Sequence, residues 1–162
     1  MHGVPSMDAE RFRIEVADLR DTEIQKLLVE HLQWTVTISP PESCHALHPH
    51  ELSQPDVTVW SVSDGCTLAG FGALRELDDR HGEVKSMRVA ASFLRMGVAT
   101  VLLRHIIAEA LQRGYTRLSL ETGSMAEFQP ARNLYLNNGF EVCPPFANYR
   151  EDPNSVYMSL KL

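Results

Sequence analysis

The segment Glu83-Val84-Lys85-Ser86-Met87-Arg88-Val89 reads as an extended, alternating strand. Through Leu94-Arg95-Met96-Gly97-Val98-Ala99-Thr100 it leads into a run where Ala99, Leu102, Leu103, Ile106, Ile107, Ala110 and Leu111 recur at i, i+3, i+4, i+7, i+8, i+11 and i+12. A two-residue period followed by a helical one spells strand, loop and amphipathic helix. Gly97 and Ala99 leave the first backbone N–H groups of that helix unmasked. Those groups have no intrahelical partner and carry the positive end of the helix dipole, so they suit a phosphate. Spacing narrows the choice of phosphate site. A Walker loop needs Lys then Ser or Thr directly after its second glycine, whereas Gly97 precedes Val98, Ala99 and Thr100, and a dinucleotide fingerprint needs two further glycines that this loop lacks.

Working outward, 162 residues suit one domain, residues 10–162, behind an N-terminal tail of residues 1–9 where Gly3 and Pro5 interrupt any pattern. Apolar residues at 44% and charged residues at 22% exclude disordered and collagen-like classes. The net charge of −6 argues against a nucleic-acid or anionic-membrane partner and towards a cationic or neutral small molecule. Cys44, Cys66 and Cys143 are an odd set without C-x-x-C spacing, which predicts free thiols in a reducing compartment. No apolar run reaches about 18 residues, and Glu10, Arg11 and Arg13 stand where a signal peptide would be apolar. The expected location is cytoplasmic, away from membranes.

Along the chain, Phe12, Ile14 and Val16 alternate with charges as a first strand, and Thr22 is the expected N-cap of a helix over residues 22–32 that carries Ile24, Leu27, Leu28 and Leu32. Residues 39–55 hold Pro40, Pro41, Pro49 and Pro55 and read as a loop with at most a short helix. Val57, Val59 and Val62, a turn near Asp64-Gly65, and residues 67–77 form a hairpin; a further turn over residues 78–82 leads into the strand over residues 83–89. Glu83, Lys85 and Met87 are expected to share one face of that strand. Gly114 caps the long helix, and residues 117–122 form a strand parallel to that over residues 83–89 through a right-handed crossover. Pro130 opens a helix that ends at Asn138-Gly139, and residues 140–142 and 156–162 are the last strands. The class is a mixed α/β sheet with a few helices.

The loop at Gly97 and Ala99 resembles the acetyl-CoA pyrophosphate loop of the GNAT superfamily of N-acetyltransferases, Q/R-x-x-G-x-G/A, with Leu94 at its first position and Arg95 one residue later. Ala131-Arg132-Asn133-Leu134-Tyr135-Leu136-Asn137-Asn138-Gly139-Phe140 is similar to the GNAT A-x-x-L-Y-x-x-x-G-F segment, in the same order along the chain. Pro40-Pro41-Glu42-Ser43, Pro55-Asp56-Val57, Leu120-Glu121-Thr122-Gly123 and Asp152-Pro153-Asn154-Ser155-Val156 resemble a narrower, YsnE-like bacterial branch, so that the likeness runs from about residue 12 to the C-terminus.

The resemblance implies the GNAT fold: a mostly antiparallel central sheet with a splayed parallel strand pair and flanking helices. It implies acetyl-CoA as co-substrate without a metal, the backbone of Met87, Arg88 and Val89 along its pantetheine, and the loop of Arg95, Met96, Gly97, Val98, Ala99 and Thr100 around its pyrophosphate. The implied activity is direct acetyl transfer to a primary amine of a small molecule, amino acid or peptide. A non-catalytic acyl-CoA-binding sensor is the alternative, and a homodimer is left open. The backbone N–H of Met87 or Val89 is placed to stabilise an oxyanion. Tyr135 stands at the superfamily's general-acid position, and its phenol suits protonation of a thiolate. Glu83 stands where some members keep a general base; the other readings are an ion pair with Lys85, and Glu121 as the base. The cluster His45, His48 and His50 lies within a Pro-containing loop without Cys or carboxylate at ligand spacing, which fits an acceptor-site wall better than a metal site. Trp34, Tyr149 and Asp152 are candidates for the same wall.

Overall fold

A computed structural model describes residues 11–162; the expected tail, residues 1–9, lies outside them. Among the described residues seven strands form one sheet: β1 Phe12–Val16, β2 Val57–Asp64, β3 Thr67–Glu76, β4 His81–Val89, β5 Arg117–Gly123, β6 Glu141–Cys143 and β7 Ser155–Lys161, in the order β1-β2-β3-β4-β5-β7-β6. Every neighbouring pair is antiparallel except β4 and β5. The helices are α1 Thr22–Ile38, α2 Pro49–Leu52, α3 Val98–Gln112 and α4 Gln129–Asn137.

Helix α3 provides the β4-to-β5 crossover and buries Val98, Leu102, Leu103, Ile106 and Ala110 against Val62, Leu74, Val84, Leu118, Leu120 and Met158. At about 1.5–3 kcal/mol for each large side chain removed from water, this face is the main driving force for the core. The opposite face of the sheet is covered by α1 and the following segment, where Ile24, Leu27, Leu28, Leu47 and Leu52 pack on Val59, Phe71 and Ala73. The sheet therefore has two different faces, one under α3 and one under α1.

Three expectations are corrected. Asp21, not Thr22, caps α1: its carboxylate accepts from the Glu23 amide at 2.8 Å. The same helix continues past Leu32 to Ile38, because nothing breaks it before Ser39-Pro40-Pro41 and because His31 and Trp34 pack beyond the periodic stripe. Strand β4 starts at His81 rather than at residue 83, paired there with Arg117 of β5.

A further expectation, that Glu83, Lys85 and Met87 share one face, is also corrected, and it matters most for the site. Ala73 pairs with Lys85 but Phe71 pairs with Arg88, so β4 carries one extra residue, and Ser86 within it has φ 54°. A bulge breaks the strict alternation of side chains. Glu83 and Lys85 stay on the α1 face, whereas Met87 joins Val84 on the α3 face, where its side chain meets the α3 core beside Gly72.

Candidate active site

Strands β4 and β5 pair only at His81–Arg117, Gly82–Leu118 and Glu83–Ser119, and then diverge. Strand β5 continues on β7 as far as Gly123–Ser155, while the far half of β4 keeps β3 but loses its other neighbour. The result is a wedge whose β4 edge offers unpaired backbone groups to an extended ligand. Gly97 closes the loop at the β4 end of the wedge as the N-cap of α3 with φ 82°, a left-handed conformation that favours glycine. Arg95 also has positive φ, 63°, and no side chain caps α3 or places a charge in its first turn. Free N–H groups in such a curled loop at a helix start form an anion cradle. Of the sequence-expected cofactor residues, Met87, Arg88 and Val89 thus lie on the open edge of β4, and Arg95, Met96, Gly97, Val98, Ala99 and Thr100 surround the cradle. Leu94 is 58% exposed and Arg95 is also exposed.

A cavity of about 120 Å³ occupies the wedge. Tyr135 and Met87 line it from the α3 side; Glu121, Cys44, His45 and His31 line it from the α1 side. Among the described residues the Tyr135 hydroxyl has one hydrogen-bond partner, the Met87 sulfur at 3.9 Å, a weak acceptor. Burial, reinforced by the Glu121 charge, pushes this phenol up to about 12, so it holds its proton through the neutral range. Glu121 is raised from 4.5 to about 7, mainly by burial, with Glu83 and Asp152 adding like charge. A carboxyl poised there exchanges a proton at neutral pH.

Glu83 sits in different surroundings. Its carboxylate accepts a hydrogen bond of 2.6 Å from the Tyr149 hydroxyl and lies 3.6 Å from the Lys85 ammonium; both side chains of that ion pair are almost fully buried. Lys85 also donates to the Tyr149 oxygen and to the His45 carbonyl, each at 2.9 Å. Burial and then the Glu83 charge hold the Tyr149 phenol far above its ordinary value. Asp152 accepts from the Ser43 hydroxyl at 2.6 Å, so the β6–β7 connection is tied to the segment after α1. Between them opens a second cavity of about 670 Å³, lined by Glu83, Lys85, Tyr149, Asp152, His45 and Arg75, which shares His45, Cys44 and Lys85 with the wedge.

The expected acceptor-wall residues divide accordingly. Tyr149, Asp152 and His45 line the larger cavity, His45 packing edge-on to Tyr149 at 5.0 Å, while Trp34 stands against Phe128 at the wedge. His48 stacks on His50 instead of converging with His45, and no group of three His, Cys, Asp or Glu side chains among the described residues could hold a metal ion.

Comparison with known proteins places the chain in a family. Residues 22–140 match the model of the acetyltransferase (GNAT) family. The chain is a GNAT acetyltransferase. It is 58% identical over 149 residues to the uncharacterised N-acetyltransferase YsnE of Bacillus subtilis (strain 168), covering 92% of this chain and 99% of that relative. It is 51% identical to the uncharacterised N-acetyltransferase YedL of Escherichia coli (strain K12), over 93% of this chain and 95% of the relative. Among solved structures, a proposed acyl-CoA N-acyltransferase from Klebsiella pneumoniae superposes with a TM-score of 0.75 at 27% identity, covering 93% and 97% of the two chains. A Bacillus subtilis acetyltransferase in complex with CoA shares the fold at a TM-score of 0.71 and 19% identity, covering 93% and 99%. This GNAT protein is therefore an acyl-CoA-dependent acyltransferase. No helix among its described residues is long and apolar enough to cross a membrane.

Sequence reasoning missed several parts of this GNAT site. Ser86 gave no sign of its bulge, because Ser is ordinary in a strand. His31 lies on a helix whose expected pattern used only its aliphatic residues. Cys44, whose thiol is raised by burial and then by Glu121, was read only for its redox state. The Glu83–Lys85–Tyr149 network joins residues 66 positions apart, and only its Glu83–Lys85 half was legible.

Proposed function

We propose that this protein acetylates a primary amine by direct transfer from acetyl-CoA at the β4–β5 wedge, the amine belonging to a small molecule, amino acid or peptide. The observation that carries this reading is that one small cavity brings a proton acceptor titrating near neutrality, Glu121, together with a proton-bearing phenol that has no oxygen partner, Tyr135.

In this reading the backbone N–H groups at Gly97, Val98, Ala99 and Thr100 hold the pyrophosphate, and the open edge of β4 pairs with the pantetheine amides. The Met87 or Val89 N–H faces the thioester oxygen. Glu121 takes the proton of the attacking ammonium, directly or through a water, and the neutral amine adds to the carbonyl carbon. The oxyanion is stabilised by the β4 amide as it forms. The tetrahedral intermediate collapses with cleavage of the C–S bond, Tyr135 protonates the departing thiolate, and the second proton of the former ammonium leaves the new amide nitrogen and restores the Tyr135 phenol. We assign Glu83 a structural part in the Lys85–Tyr149 network, where its Oε2 accepts from the Tyr149 hydroxyl and faces the Lys85 ammonium, and Glu121 the base, because its carboxyl lines the wedge cavity with Tyr135 and is raised towards neutrality. Glu42, Glu51, Glu83, Glu151 and Asp152 outnumber Arg75, Lys85 and Arg150 around the larger cavity, which favours the approach of a cationic amine.

The test is release of free CoA thiol from acetyl-CoA with a panel of primary amines, with product confirmed by mass. Amine-dependent thiol release supports the reading. CoA binding without release for any amine would leave an acyl-CoA-binding module instead.

A further inference from the structure

Among the described residues, His31 Nδ1, Ser86 Oγ and Arg88 Nε are buried polar atoms without a hydrogen-bond partner; His31 and Ser86 line the wedge cavity, and Arg88 adjoins its lining through Trp34 and Phe128. Buried polar groups are paired in native proteins with few exceptions, so such a cluster calls for a ligand that completes it. Arg88 is the most informative of the three. Its side chain leaves β4 on the α1 face, with the guanidinium carbon 5.4 Å from the centre of the Trp34 ring. Trp34 in turn meets Phe128 edge-on at 5.0 Å, and Phe128 lines the wedge cavity. No salt bridge among the described residues includes Arg88. Glu121 has Lys85, Glu83 and Asp152 as its charged neighbours, so the Arg88 charge is not spent on it.

His31 is 9% exposed, lines the same cavity from α1, and is fixed edge-on against Phe71 at 6.0 Å. Burial and then the Arg88 charge keep its imidazole neutral, lowered to about 4, so its Nδ1 edge is available as a hydrogen-bond donor in the appropriate tautomer. A guanidinium stacked on an aromatic ring keeps its planar fork free, and that fork matches a carboxylate with two parallel hydrogen bonds.

We propose that Arg88, held on Trp34, and His31 form a carboxylate-binding subsite of the acceptor pocket, so that the acceptor is an amino acid or a similar amino-carboxylate. This inference rests on the transferase reading above for the identity of the acceptor. It separates the two ends of the acceptor: the amine goes to Glu121 and the carboxylate to Arg88, on the same side of the sheet.

The experiment compares each of the common L-amino acids, and β-alanine, with its own carboxamide. Thiol release is followed in the wild type, Arg88→Met and Arg88→Lys, and binding of the same pairs to the CoA-loaded protein is measured by calorimetry. Amidation lowers the basicity of the neighbouring amine and leaves more of it neutral, so a preference for the acid runs against intrinsic reactivity. The wild type is expected to favour at least one acid over its amide by about 10-fold or more, the ratio falling towards one in Arg88→Met and part-way in Arg88→Lys, as the loss of a charged bidentate pair requires. Because the ratio is taken within each variant, a general loss of stability does not imitate the result. Equal or better use of the amides by the wild type would overturn the subsite while leaving the transferase reading intact, and so would transfer confined to amines without a carboxylate. Acid-selective binding without any transfer would uphold the subsite and defeat the transferase reading. A panel in which no acid binds or reacts would overturn the subsite.

Discussion

Replacing Glu121 by Gln removes one titration and tests two consequences of it together. In the native state the carboxyl titrates at about 7 against an ordinary 4.5, chiefly because it is buried. A difference of that size corresponds to roughly 3 kcal/mol between native and unfolded protein, at about 1.4 kcal/mol per pKa unit. The native state binds the proton more tightly than the unfolded chain, so this contribution is fully present below pH 4.5 and is lost as pH rises through 7. Glu121→Gln keeps the shape but cannot ionise. Thermal melts should therefore show a variant whose stability changes less between pH 5 and 8, and which at pH 8 gains on the wild type by up to about 6–12 °C. Activity should move the other way. Thiol release by the wild type should climb with pH through about 7 as the base is freed, and the variant should lose about 10²-fold or more in turnover together with that limb. A Gln variant that keeps the same acid limb and the same rate would refute the assignment of Glu121 as base.

Tyr135→Phe should fold and bind CoA nearly as well as the wild type, since its hydroxyl has only the Met87 sulfur as partner, yet lose about 10²–10⁴-fold in turnover; wild-type turnover would return Tyr135 to packing. With its phenol held up at about 12, no basic limb from this residue should be seen below pH 10, in contrast to a tyrosine of ordinary acidity. Gly97→Glu forces a residue with a Cβ into φ 82° and sets a carboxylate at the cradle, so the stabilisation of about 2.7 kcal/mol expected from CoA at a hundredfold excess over its dissociation constant should vanish in a thermal-shift assay. Glu83→Gln leaves the buried Lys85 ammonium without its counter-charge and should cost about 3–5 kcal/mol in denaturant unfolding while lowering turnover less than Glu121→Gln does; an unchanged midpoint with a rate loss of about 10²-fold would instead make Glu83 the base.

What the sequence determined by itself is what depends on near neighbours along the chain. The alternation over residues 83–89, the helical stripe from Ala99 to Leu111 and the small residues at Gly97 and Ala99 specify a strand, an open helix start and a parallel crossover, because periodicity and backbone freedom are local properties. The segment around Tyr135 was recognisable through its resemblance to the GNAT A-x-x-L-Y-x-x-x-G-F pattern, and it lands on the wedge. Only the tertiary structure decided which face each side chain takes and how its charge behaves. One extra residue at Ser86 turns Met87 away from Glu83 and Lys85, a displacement set by pairing with β3 across the sheet. Glu83 and Glu121 are the same residue type on adjacent strands, and the sequence ranked Glu83 first as base. Their separation comes from Tyr149 and Lys85 closing on Glu83 while Glu121, half-buried, faces the cavity without such a counter-charge in contact among the described residues. Proton affinity is fixed by desolvation and by charges brought together from distant parts of the chain, and neither quantity exists until the chain has folded.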